Sequence, residues 1–225
     1  MNDSVPMSRA RSTRRLKPGE FILPQWFINS MRPGFRLIGH TFWNLRLRGI
    51  ENIPANGGLI VASNHQSYLD PFAISIPIKR AIRFLAWKEA MSWPFLGKVM
   101  GMLGAWPLQL EGSDPAAIRR SHQWLREEGA LMIFPEGGRG QPDGSMVRFK
   151  AGAVRIALEA RVPILPVTIR GAQQVWPRGR LIPGLGEIEI TYHPLFHPQQ
   201  LRGEDTRACA RRESEQLAAI IRSAL

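Results

Sequence analysis

His65 and Asp70 stand five residues apart in Asn64-His65-Gln66-Ser67-Tyr68-Leu69-Asp70. On one straight helix that offset separates two side chains by about 140°, so the pair would share no helical face. Across a strand-to-helix turn the two can converge. Asp70 would then hydrogen-bond one imidazole nitrogen and fix the tautomer, leaving the other to take a proton from a hydroxyl. The same residues also fit a plain loop histidine followed by a helix-capping aspartate. A second candidate is Phe134-Pro135-Glu136-Gly137-Gly138-Arg139-Gly140. Its glycines let backbone N–H groups come close to an anion, and Arg139 offers a planar fork suited to phosphate. A Gly-rich turn with a solvated arginine is the plainer alternative. The P-loop pattern and the Gly-x-Ser-x-Gly elbow are both absent, which counts against a P-loop nucleotide site and a serine hydrolase. His40, His122, His193 and His197 lack metal-ligand spacing, so no metal is expected.

Both motifs need a buried strand that ends in a turn, and both have one. Leu59–Ser63 and Ala130–Phe134 are short continuous apolar runs, the pattern of strands buried on both faces. Asp70-Pro71 predicts a helix start with Asp70 as N-cap and Pro71 at the first helical position, and Asp114-Pro115 repeats the signal. A third strand is expected over 164–169, a half-buried one over 187–192, and helices over 151–160 and 204–224. Arg46 and Arg48 alternate with leucines like a short strand. Alternating strands and helices predict an α/β fold: a single layered domain with a mostly parallel central sheet flanked by helices. If the strands are parallel, Glu136 reaches the same carboxyl edge as His65, where open α/β sheets bind ligands.

The 225 residues carry a formal charge of +12, and the first fifty hold nine basic and two acidic residues. Such a basic end suggests an anionic partner: a phospholipid surface, nucleic acid or a phosphorylated substrate. A single cysteine, Cys209, excludes an internal disulfide. Residues 1–20 read as a basic flexible arm without the apolar core of a signal peptide. Residues 21–43 read as an amphipathic helical segment, in which Phe35, Ile38 and Phe42 recur at helical spacing after an aromatic patch around Trp26 and Phe27. That stripe fits either a bilayer interface or packing on the remaining domain, 44–225. The longest apolar run, Val99 to Leu110, falls short of the ~20 residues of a membrane span.

Taken in order, the motifs resemble the glycerolipid acyltransferases. His65 and Asp70 match the family's His-x4-Asp block, and Phe134 to Arg139 match the block usually written Phe-Pro-Glu-Gly-Thr-Arg. Phe149-Lys150-Ala151-Gly152 and Val162 to Val167 match the next two, and Lys88-Glu89 matches a Lys-Glu pair after the first. The resemblance covers roughly residues 45–195. It implies that His65 is the general base on an acceptor hydroxyl and that Asp70 orients it. Glu136, Gly137, Gly138 and Arg139 would shape the acceptor site, with Arg139 on a phosphate and Lys88 and Lys150 as further binding residues. The acyl donor would be acyl-CoA or acyl-carrier protein as co-substrate, with no cofactor. The acceptor would be a lysophospholipid, in phospholipid biosynthesis on the cytoplasmic side of a membrane, held peripherally by its anionic surface. Two departures stand out: Leu110 occupies the place of a phosphate-binding Arg, and Gly138 that of the usual Thr. Alternatives are an acceptor without the usual phosphate, and a non-catalytic protein binding anionic lipid or, less in keeping with the motifs, nucleic acid.

Overall fold

The long apolar runs become the centre of a sheet in a computed structural model that describes residues 22–92, 96–109 and 114–225. The basic arm and Leu110 lie outside the described residues. The described residues open with helix α1 (Gln25–Trp43), strands β1 (Arg46–Arg48) and β2 (Leu59–Ser63), and helix α2 (Asp70–Ser75). There follow β3 (Ile82–Trp87), the short helices α3 (Lys88–Met91) and α4 (Leu96–Met102), β4 (Ala105–Leu108) and α5 (Pro115–Arg126). The last part holds β5 (Ala130–Ile133), α6 (Gly152–Ala160), β6 (Ile164–Arg170), α7 (Ala172–Val175), β7 (Glu189–Tyr192) and α8 (Thr206–Arg222).

Among the described residues these strands form one sheet in the order β1-β7-β6-β2-β5-β3-β4. Neighbours are parallel except β6 with β7, as a mostly parallel sheet requires. Side chains alternate across the sheet. Leu59 and Val61 face a layer holding Ile74 and Ile78, whereas Ile60 and Ala62 face Leu125, Val154, Leu217 and Ile221. The two layers explain why β2 and β5 read as unbroken apolar runs: neither face meets water. The crossover helix after β2 lies in the first layer and the one after β5 in the second. Adjacent strands whose connections leave to opposite faces open a crevice at their carboxyl ends.

Sequence patterning did not anticipate β3 and β4. Arg83 and Pro107 interrupt their apolar runs. The structure accommodates both: the Arg83 guanidinium lies 4.9 Å from the centre of the Trp124 ring, and Pro107 sits in a strand at the sheet edge, where a missing N–H is tolerated.

The N-terminal segment is one helix that runs through Pro33. One face ties the part before Pro33 to the rest of the fold. Gln25 and Asn29 donate to the carbonyl of Lys79, and Arg32 donates to those of Ser75 and Ile76. These carbonyls at and beyond the end of α2 need donors, since a helix end leaves its last carbonyls unpaired. On another face Phe27, Met31, Phe35, Ile38 and Phe42 are exposed, at steps of four, four, three and four residues. No helix among the described residues is long and apolar enough to cross a membrane.

Candidate active site

His65 follows β2, and Glu136 follows β5. Parallel pairing of those two strands brings both residues to one edge of the sheet. Asn64 closes the end of β2. Its buried side-chain amide donates to the Ile169 carbonyl at 2.8 Å and accepts from the Ile169 N–H at 2.9 Å. The amide thus continues the ladder to β6 after the backbone of β2 turns away, and His65 becomes the first residue clear of the sheet.

The imidazole Nδ1 of His65 lies 2.8 Å from Asp70 Oδ2. Its ring stacks on Phe134, with centroids 4.1 Å apart and planes 21° from parallel. The Asp70 side chain is fully buried, whereas that of His65 is 19% exposed. The same Oδ2 accepts the N–H groups of Gln66 and Ser67 at 2.5 and 2.8 Å. Asp70 is therefore not the N-cap expected from sequence. Leu69 takes that position, and the Asp70 carboxylate turns back to the loop before the helix, whose two N–H groups point at it. An ionised carboxylate only accepts, so Nδ1 carries the hydrogen and Nε2 is the basic nitrogen of the neutral ring. Such a pair can accept a hydroxyl proton at Nε2 and stabilise the imidazolium that results.

Glu136 stands behind this pair. It is 5% exposed. One carboxylate oxygen accepts the N–H of His65 and the other that of Val147, both at 2.8 Å. Burial pushes its carboxyl above the ordinary range, against the pull of those two donors. The Gly140 N–H donates to the His65 carbonyl at 2.7 Å, so His65 is held on both sides of its Cα. A Cβ at Gly140 would come 2.9 Å from the Ser145 carbonyl and 3.0 Å from Glu136 Oε2, which excludes larger residues.

Two of the three glycine N–H groups in the loop are taken by backbone carbonyls. Gly137 and Gly140 spend their N–H groups on the carbonyls of Phe134 and His65. Gly137 instead makes room: at φ +72°, a Cβ there would lie 2.6 Å from Lys150 Nζ. Gly138 is exposed with open space beside it. The Arg139 guanidinium lies 4.1 Å above the Tyr68 ring centre and donates from Nη2 to the Tyr68 hydroxyl at 3.2 Å. Its Nη1 is buried and reaches no acceptor among the described residues. Two nitrogens of one guanidinium thus differ, one bonded to Tyr68 and one buried without an acceptor among the described residues.

His65, Asp70, Glu136, Gly137, Gly138, Arg139 and Lys150 come together in this way. Lys88 does not join them by contact. It is exposed at the carboxyl end of β3, two strand spacings from β2, or about 10 Å away. Four residues were missed from sequence. Asn64 and Tyr68 lie in or beside the His-x4-Asp block and carried that much signal. Phe134 reads from sequence as the last residue of a strand, with nothing to mark it as a support for the ring. Arg178, which donates to the carbonyls of Arg139 and Gly140 at 2.6 and 3.0 Å, carried none.

A model of the family described as Acyltransferase matches residues 44–170. The chloroplastic 1-acyl-sn-glycerol-3-phosphate acyltransferase LPAT1 of Arabidopsis thaliana is 28% identical over 189 residues, covering 81% of this chain and 50% of that protein. The 1-acyl-sn-glycerol-3-phosphate acyltransferase of Pseudomonas aeruginosa is 30% identical over 172 residues, covering 73% and 62%. The chain thus spans about half to three-fifths the length of these relatives. The crystal structure of the 1-acyl-sn-glycerophosphate acyltransferase PlsC from Thermotoga maritima superposes with a TM-score of 0.67 at 25% identity, covering 88% of this chain and 81% of that one. The family match spans more than half of the chain and contains both motifs that meet at the sheet edge, and on that ground the chain belongs to the glycerolipid acyltransferase family.

Proposed function

We propose that the chain transfers a fatty acyl group from a thioester donor, acyl-CoA or acyl-carrier protein, to the free hydroxyl of 1-acylglycerol-3-phosphate. The observation that carries this reading is the His65–Asp70 pair at the carboxyl edge, with Arg139 Nη1 left without an acceptor on the same loop system. The relatives' names support the acceptor.

His65 Nε2 takes the proton of the acceptor hydroxyl as its oxygen attacks the thioester carbonyl. Asp70 holds the ring in the required tautomer and stabilises the imidazolium. As the tetrahedral intermediate collapses, the C–S bond breaks and the leaving thiolate takes the proton from His65. The products are a new ester and a free thiol, and no covalent acyl-enzyme forms. Glu136 serves as a positioning residue that fixes the backbone of His65. Arg139 donates to the acceptor phosphate, with Tyr68 beneath its guanidinium. Lys150 and Lys88 add positive charge around that phosphate.

The exposed stripe on α1 supports a peripheral place on an anionic bilayer, where both lipid substrate and product reside. Incubation with acyl-CoA or acyl-carrier protein and a panel of lysolipids, read by lipid mass spectrometry, tests the reading. Phosphatidate from lysophosphatidate is expected. Acylation confined to lysolipids or alcohols without the phosphate monoester would refute the acceptor and retain the class. No product from any pair would refute the transfer itself.

A further inference from the structure

The loop between α7 and β7 reads Pro177-Arg178-Gly179-Arg180-Leu181-Ile182-Pro183-Gly184-Leu185-Gly186. Leu181, Ile182 and Leu185 are 92%, 70% and 77% exposed. Single exposed apolar residues are ordinary, but three within five positions, on a braced loop, are not. The Gly184 N–H donates to the Val175 carbonyl at 2.8 Å, and Trp176 Nε1 to the Arg180 carbonyl at 2.8 Å. The apolar tip is thus presented by a closed turn.

The loop is also bonded on two sides. At its base, Ser67 Oγ donates to the Trp176 carbonyl at 3.3 Å, the Trp176 ring meets Tyr68 edge-on, and Arg178 holds the carbonyls of Arg139 and Gly140. Toward its far end, Trp43 Nε1 donates to the Gly184 carbonyl at 3.1 Å, and the Gly186 N–H to the Phe42 carbonyl at 3.3 Å. One loop therefore connects the last turn of α1, beside exposed Phe42, with the edge that holds His65.

We propose that Leu181, Ile182 and Leu185 are a second bilayer anchor, inserted among the lipids of an anionic membrane while Arg178 and Arg180 stay at headgroup level. This rests on the reading of α1 as bilayer-facing. Both arginines are exposed and in no ion pair among the described residues, so their charge complements anionic headgroups. Three aliphatic side chains offer far less than the roughly 800 Å² per partner of a stable protein interface. A bilayer needs no complementary partner surface. Two anchors joined by hydrogen bonds fix an orientation that one helix, free to roll about its axis, would leave open. They hold the carboxyl edge against the headgroups from which a lysolipid hydroxyl must come.

The test places an environment-sensitive fluorophore at Ile182→Cys and, in a separate protein, at Phe35→Cys. Native Cys209 is fully buried and does not compete for label. Each full chain is mixed with vesicles of phosphatidylglycerol and phosphatidylcholine. A blue shift at both positions, quenched by bromine on the acyl chains, is the expected result. Leu181→Ser, Ile182→Ser and Leu185→Ser together should lower vesicle partition by about a hundredfold, with turnover of a water-soluble short-chain lysophosphatidate retained. A shift at position 35 but none at 182 overturns the anchor and leaves the surface reading of α1 standing. Protein that stays in the supernatant with neither position shifted overturns the bilayer reading and the anchor with it. A shift at 182 that needs no vesicles and grows with protein concentration assigns the tip to a second copy of the chain and also overturns the anchor.

Discussion

Asp70→Asn removes one charge beside His65 and keeps the shape of the side chain. The geometry dictates how the new amide must sit. Oδ2 of Asp70 accepts three donors: His65 Nδ1, the Gln66 N–H and the Ser67 N–H. An amide NH₂ in that place would face two backbone N–H groups, so the amide oxygen takes it. His65 then still donates from Nδ1, and the tautomer with a basic Nε2 survives. What is lost is the attraction between a carboxylate and the imidazolium formed in the reaction. Two unit charges about 4 Å apart at an effective dielectric of about 20 attract by about 4 kcal/mol. The imidazolium is only partly formed in the transition state, and the ring is in part exposed, so about 3 kcal/mol is the share expected in the barrier. That corresponds to a fall in kcat of about 10²-fold. The amide NH₂ lands where Oδ1 now lies, buried and without a partner among the described residues. An unpaired buried donor costs about 1–3 kcal/mol, which predicts a melting temperature several degrees lower. The assay is steady-state transfer from acyl-CoA to lysophosphatidate by folded Asp70→Asn protein. Unchanged kcat would refute the role of the charge. A loss as deep as that of His65→Ala would refute the argument that the two backbone donors preserve the tautomer.

Arg139→Ala should raise KM for a phosphate-bearing acceptor by about 10- to 100-fold, the worth of a charged hydrogen bond, with the donor KM little changed; equal kinetics would assign Arg139 to structure. Glu136→Gln isolates a pH effect. Burial raises the Glu136 carboxyl above its ordinary 4.5, so the folded state holds this proton more tightly than the unfolded state. The associated stability is present below the unfolded pKa and lost as pH rises through the folded one. Urea unfolding should therefore show wild type losing ground against Glu136→Gln between mildly acid and neutral pH, and parallel stabilities would contradict it. Gly138→Thr should fold and melt within about 1 kcal/mol of wild type, since a Cβ there meets nothing within 4 Å; a large destabilisation would show that the loop is tighter than described.

Local signals made much of this fold legible. β2, β5 and β6 are apolar runs bounded by turns, and Asp114 caps α5 as its sequence suggests, accepting the Ala117 N–H. Parallel strands then brought His65 and Glu136 to one edge. The remainder depended on which groups the folded chain brings together in space. Arg83 reads as a break in a strand until Trp124 lies beneath it. Glu136 reads as a group facing the acceptor until the N–H groups of His65 and Val147 take both its oxygens. Asp70 is a cap by sequence, yet its carboxylate turns backward because two N–H groups of the preceding loop converge on it. The basis for Arg139 at a phosphate shifted in the same way, from glycine N–H groups around it to one guanidinium nitrogen bonded to Tyr68 and another buried without an acceptor among the described residues.

The central claim is that His65 Nε2 removes the proton of a lysophosphatidate hydroxyl during direct acyl transfer. It is tested most directly by phosphatidate formation from acyl-CoA or acyl-carrier protein and lysophosphatidate, comparing wild type with His65→Ala of matched melting behaviour. The account predicts one phosphatidate per thiol released by wild type, and a rate about 10²- to 10⁴-fold lower for His65→Ala, as expected for loss of a general base. Near-normal phosphatidate formation by folded His65→Ala protein would contradict it.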